Sequence, residues 1–151
     1  MDNYSKKVEI RWADLDPNFH MLHSKYYDLG GYCRMSFLVE KGITTLYMKQ
    51  NSIGPILFRE ECIFKREVSF GDDVSVNLKL QKITTDGSRW TMLHEIWKNT
   101  DTLAALITCD GAWMETTLRK LAQPPGEILA LFEEAPKTDD FIIFSKDSTK
   151  K

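Results

Sequence analysis

From Val74 to Met114 the chain repeats one pattern, and that pattern limits its fold more than any other feature. Val74, Val76, Leu78 and Leu80 alternate with Ser75, Asn77 and Lys79, the period of a strand with one buried face. Asp86-Gly87 is a hairpin signal. Arg89 to Lys98 reads as the return strand, Asn99-Thr100-Asp101 turns the chain again, and Leu103 to Met114 is nearly all apolar, as expected of a central strand. Strands joined by turns this short pair antiparallel. The apolar face they share must then be covered by another layer.

The cover lies upstream. Ser24 to Glu40 places Tyr27, Cys33, Phe37 and Leu38 at helical spacing, with Ser24 at the N-cap, Asp28 in the first turns and Lys41-Gly42 as the stop. Gly30-Gly31 falls inside it, each glycine costing about 1 kcal/mol relative to alanine. Close approach of a sheet to this helix explains them. Before the helix, Val8 to Trp12 alternates as a short strand that ends at the Asx-proline turn Asp14 to Asn18. After it, Met48 to Gly54 reads as a linker, Phe58 to Phe70 becomes β-rich, and Gly71-Asp72-Asp73 turns. Pro124-Pro125-Gly126 breaks the strand pattern, and Pro125 and Glu127 open a short helix through Phe132. The expected organisation is one α+β domain over residues 1–136, with 137–151 as a polar C-terminal tail carrying an edge segment at Phe141 to Phe144.

A chain of 151 residues favours a single domain with a real core. Twenty Lys and Arg against 22 Asp and Glu leave a net charge of -2, which gives no electrostatic basis for binding nucleic acid. Met1 to Glu9 is polar, so no signal peptide is expected, and no apolar run is long enough for a membrane-spanning helix. Cys33, Cys62 and Cys109 are odd in number and far apart, which suits free thiols in the cytoplasm.

Chemistry concentrates between Arg11 and Tyr27. Asp14, Asp16, His20 and His23 fall within ten residues just before the helix, whose first backbone N–H groups are free to stabilise an oxyanion. A carboxylate facing such donors serves as a nucleophile or as a general base on water. Asx residues around a proline also make ordinary turns, and that reading stands beside the catalytic one.

This stretch resembles the signature of hotdog-fold acyl-CoA thioesterases of the 4-hydroxybenzoyl-CoA thioesterase type: an aromatic-x-Asp-x-Asp loop, a Gly-His or similar pair, and a helix with an early Tyr. Phe70-Gly71-Asp72-Asp73-Val74 resembles that family's Phe-Gly-Asp turn. The resemblance covers Val8 to Leu118 and implies a hotdog fold, an antiparallel sheet wrapped around one long central helix. It implies hydrolysis of an acyl-CoA to free acid and CoA without a cofactor or metal. Asp16 matches the family's catalytic carboxylate. His23 matches the helix-start position whose backbone N–H polarises the thioester oxygen. Asp14 is expected to tie the loop to the backbone. Phe19 stands where many members have glycine. Asn18, Phe19, His20 and Glu61 are candidate substrate contacts, and Lys65, Arg66 and Arg89 are candidate cations for CoA phosphates. The resemblance also implies a homo-oligomer, a dimer or tetramer, with active sites at the subunit interface. The surplus apolar character of Leu103 to Met114 points the same way.

Two other readings remain. Asp16-Pro17-Asn18-Phe19-His20 is similar to the hotdog hydratase pattern Asp-x-Asn-Pro-x-His, one residue shorter, which would pair Asp16 with His20 as acid and base on an enoyl bond. A noncatalytic acyl-thioester binding module would keep the fold without turnover. Zinc on His20 and His23 lacks a third ligand nearby.

Overall fold

The computed structural model describes residues 3–145, so the last six residues of the polar tail, 146–151, lie outside the described residues. The alternating segments form one eight-stranded sheet. β1 is Ser5–Val8, β2 Ile53–Phe64, β3 Val74–Asn77, β4 Lys79–Thr84, β5 Arg89–Lys98, β6 Thr102–Glu115, β7 Lys120–Leu121 and β8 Lys137–Phe144. β5 is central: β6 pairs along one side, and β4 and β3 share the other. β2 pairs with β6, β1 with β3, and β8 runs parallel to β4. The Val74–Leu80 alternation is therefore two strands, interrupted at Leu78, whose N–H leaves the sheet for the Tyr4 carbonyl.

Three helices accompany the sheet: α1 Lys25–Glu40, α2 Thr45–Gln50 and α3 Gly126–Glu134. None among the described residues is long and apolar enough to cross a membrane. The sheet curls around α1, which gives the α+β hotdog architecture. The buried stripe of α1 is Tyr26, Gly30, Cys33, Phe37 and Leu38, steps of three and four residues that keep one face to the sheet. Val74, Val76, Leu78, Met92, Ile96, Ile107 and Cys109 belong to the same core. α3 closes the other end, where the Phe132 ring meets Trp90 at 6.4 Å and Trp113 at 5.9 Å.

Three expectations are corrected. Strand β1 ends at Val8, and Trp12–Asp14 is a 3-10 turn, because the Asp14 carboxylate folds back onto the Arg11 N–H and guanidinium. The span read as a linker, 48–54, holds the end of α2 and the start of β2; α2 is opened by Thr44, whose hydroxyl caps the Tyr47 N–H at 3.1 Å. Residues 137–144 are a strand of the main sheet, since the β4 edge offers free backbone groups that β8 takes up.

Candidate active site

The loop before α1 is a tight hairpin. The Asp16 N–H donates to the His20 carbonyl at 2.8 Å, and the Phe19 N–H donates to the Asp16 carbonyl at 2.9 Å. The Asp16 side chain completes the turn: its Oδ1 accepts from the backbone N–H groups of Asn18 at 2.8 Å and His20 at 3.2 Å. Its other oxygen takes no hydrogen bond among the described residues and is available to a ligand. The hairpin is strapped to the segment between β2 and β3 by Met21 N–H to Val68 carbonyl, 2.7 Å, and by a bridge between His20 and Ser69.

These contacts create a shallow cleft of about 330 Å³ that brings together Asp16, His20, His23, Tyr26, Lys65 and Arg66. Five of them are residues singled out in the sequence. Phe64 lines the same cleft and packs edge-on against Tyr26 at 5.0 Å. Lys65 and Arg66 are held there because both backbone N–H groups donate to the Ala104 carbonyl, at 2.8 and 3.0 Å. Ser24 occupies the N-cap position of α1, but its hydroxyl caps nothing. The Lys25 N–H is taken by the Leu22 carbonyl at 2.9 Å, and no side chain caps the groups that follow, so the helix start beside the cleft favours negative charge.

The two aspartates divide their tasks. Asp14 is buried and salt-bridged to Arg11 at 2.9 Å, and the Arg11 hydrogen bond holds its carboxyl below the usual range. It is a structural tie. The His20 imidazole lies 3.1 Å from Glu67 Oε2, while the contact of His20 with the Asp16 carboxylate is through its backbone. The side-chain pair that a hydratase would use is not formed. Among the described residues no three His, Cys, Asp or Glu side chains gather as metal ligands.

The remaining predicted contacts stand elsewhere. Asn18 and Phe19 project from the same hairpin without lining the cleft, and Phe19 turns toward Trp12, 6.2 Å between rings. Phe19 has φ 66°, so the position keeps a glycine-like backbone while holding a bulky side chain. Glu61 pairs with Arg59 at 2.5 Å. Arg89 lies over the Phe58 ring in a separate groove of about 550 Å³ with Lys82 and Asp110. Within one chain, neither Glu61 nor Arg89 reaches the Asp16 cleft.

Sequence reasoning missed a buried polar cluster under the middle of α1. Arg34 Nη1 donates to His94 Nε2 at 3.0 Å and to Cys109 Sγ at 3.2 Å. Because a guanidinium only donates, His94 carries its hydrogen on Nδ1 and gives it to the Asn77 carbonyl at 2.8 Å. Burial first, then Arg34, pushes the His94 pKa down to about 3. Strand parity was the available signal, since His94 falls in step with Trp90, Met92 and Ile96.

The family model of the thioesterase-like superfamily matches residues 10–132. Among curated proteins, none matches the sequence significantly. Similar solved structures include a 1,4-dihydroxy-2-naphthoyl-CoA thioesterase from Synechocystis, with 16% identity and TM-score 0.78 over 87% of this chain and 96% of that one. A hypothetical protein from Staphylococcus aureus solved in complex with CoA shares 17% identity, with TM-score 0.80 over 99% and 94% of the two chains. A DHNA-CoA thioesterase from the same organism shares 17%, with TM-score 0.72 over 82% and 81%. At these identities the likeness is one of fold.

Proposed function

The chain belongs to the thioesterase-like superfamily, and from that premise we propose that it hydrolyses an acyl-CoA to the free acid and CoA, with Asp16 as the catalytic carboxylate. One observation carries the reading: the turn fixes one oxygen of Asp16 and leaves the other open in a cleft beside the start of α1, which no side chain caps. The thioester carbonyl sits with its oxygen toward the backbone N–H of His23, two residues before α1, which stabilises the charge that develops there. Asp16 acts in one of two ways. As a base it takes a proton from water while the oxygen adds to the carbonyl carbon. As a nucleophile it forms a mixed anhydride that water then opens. In both, the C–S bond breaks and the thiolate leaves and is protonated. Lys65 and Arg66 supply positive charge for the phosphates of CoA.

The active unit is a homodimer in this reading. Among the described residues β2 pairs with β6 alone, and its free edge is twelve residues long with Leu57, Phe58, Ile63 and Phe64 exposed. Such an edge is covered in natural proteins. A two-fold axis near its middle would join two sheets and set the cleft of each chain against the other.

The test is release of free thiol from short, long and aromatic acyl-CoAs. Asp16→Asn is expected to keep the fold and to lose at least about a hundredfold in turnover. His23→Ala keeps most of its activity, since the assigned group is the backbone N–H. A folded Asp16→Asn variant with near-native turnover defeats the assignment.

A further inference from the structure

Beneath the second half of α1 lies an apolar chamber of about 200 Å³, enclosed by α1, β2, β5, β6 and α3, that the cleft around Asp16 does not touch. Its walls include Leu57, Met92, Phe132, Trp90, Trp113 and Arg34. A dry cavity of about 150 Å³ accommodates a benzene ring, so this one has room for a ring or for about six to eight carbons. Met35 and Leu57 are lining residues that are also exposed, which places the mouth between α1 and β2.

The polar side chains of the lining share one chemistry. The indole Nε1–H groups of Trp90 and Trp113 are buried and meet no acceptor among the described residues. Buried donors are matched as a rule, and an unmatched one is costly. The third group, Arg34, is also a donor: its Nη1 is bound to His94 and Cys109, and its Nη2 stands 3.8 Å from the Glu60 carboxylate. The lining is therefore apolar in bulk, and two of its residues carry indole donors without acceptors.

We propose that this chamber receives the tail of the acyl group, and that the tail is compact and carries an oxygen acceptor, such as a ketone, for the indole N–H groups. The inference rests on the thioesterase reading and on the dimer. Arg34 is eleven residues beyond His23 along α1, about 16 Å. A compact acyl group bound at its own chain's Asp16 does not reach the chamber. Antiparallel pairing of two β2 strands about their middle puts residues 55–57 of one chain beside 60–62 of the other, with Ile53 beside Phe64. The chamber mouth then adjoins the partner's cleft, which Phe64 lines. Each chamber serves the partner's Asp16.

Two measurements test this. In proton–nitrogen correlation spectra, cyclohexanone is expected to move the indole N–H peaks of Trp90 and Trp113 downfield. Methylenecyclohexane, its isosteric hydrocarbon, binds about tenfold more weakly, the loss that goes with a hydrogen bond. In turnover, kcat/KM for 5-oxohexanoyl-CoA exceeds that for hexanoyl-CoA by about tenfold, and Trp113→Phe removes the preference. Met35→Phe, a change at the rim, narrows the mouth and weakens cyclohexanone binding even if Trp113→Phe fails to fold. Indole peaks unmoved at saturating cyclohexanone, or equal affinity for ketone and hydrocarbon, overturn the proposal. Hydrolysis without any indole shift removes the chamber alone. An indole shift in a protein that cleaves no acyl-CoA upholds the acceptor-selective site and removes the thioesterase reading.

Discussion

Phe19 shows how much a single position contributes to this site. The hairpin that presents Asp16 needs a residue with φ near +66°, a region that glycine enters freely and a bulky side chain does not. Phe19 accepts that conformation with its ring 63% exposed, so little burial compensates the strain beyond the contact with Trp12. Phe19→Gly should therefore raise stability, by up to about 1 kcal/mol, the scale of a left-handed penalty. Urea midpoints of the two proteins, at unchanged slope, measure it. A lower midpoint for the glycine variant would show that the Trp12 contact outweighs the strain. The conformation of Phe19 also explains how the hairpin keeps its shape without the glycine common at this position among the proteins it resembles.

At the level of elements, α1 and β5 meet so closely that adjacent glycines have opposite value. A Cβ on Gly30 would lie 3.1 Å from His94 Cδ2, and His94 is fully buried and pinned by Arg34 and Asn77, so it has no room to give. A Cβ on Gly31 meets only the Arg34 guanidinium at 3.7 Å, an ordinary contact. Gly31→Ala is expected to stabilise the protein by up to about 1 kcal/mol through helix propensity. Gly30→Ala forfeits that gain and destabilises. Thermal melts of the two variants should move in opposite directions.

His94 adds a pH dependence at the same junction. Its folded pKa, about 3, lies below the ordinary 6.5, so the unfolded chain binds the proton more readily. The stability held by the neutral ring is complete above about pH 6.5 and is lost progressively as pH falls from there toward 3. Unfolding free energies at pH 7.5 and 5 test the sign. At pH 5 the ring nitrogens of His94 should still report a neutral imidazole in the native state.

For the whole molecule, the proposed dimer rests on the open edge of β2. Ile63 stands on that edge at 48% exposure, and Lys there places a charge in the proposed seam. Light scattering is expected to find a dimer for the natural sequence and a monomer for Ile63→Lys, with activity lost in the monomer because each cleft loses its neighbour. A fully active monomer would defeat the shared-site arrangement.

Where sequence and structure agree, the physics is local. Period-two alternation made β3 and the start of β4 legible, a nearly all-apolar run marked β6, the Asp86-Gly87 and Asn99-Thr100 turns marked the ends of β5, and helical spacing marked α1. Asp14, Asp16, His20 and His23 were legible because a hairpin and the helix start that follows it keep sequence neighbours together. Lys65 and Arg66 join them across the fold only because their N–H groups bond to the Ala104 carbonyl of β6. Residues far apart in sequence meet only through strand order and register. Arg34, His94 and Cys109 share one buried cluster because α1 crosses β5 and β6 at that height, and Arg89 leaves the cleft because β5 carries it to the other end of the sheet. Pattern along a chain specifies which face of each element is buried. Which buried faces meet, and which side chains stand unmatched between them, is decided by packing in three dimensions.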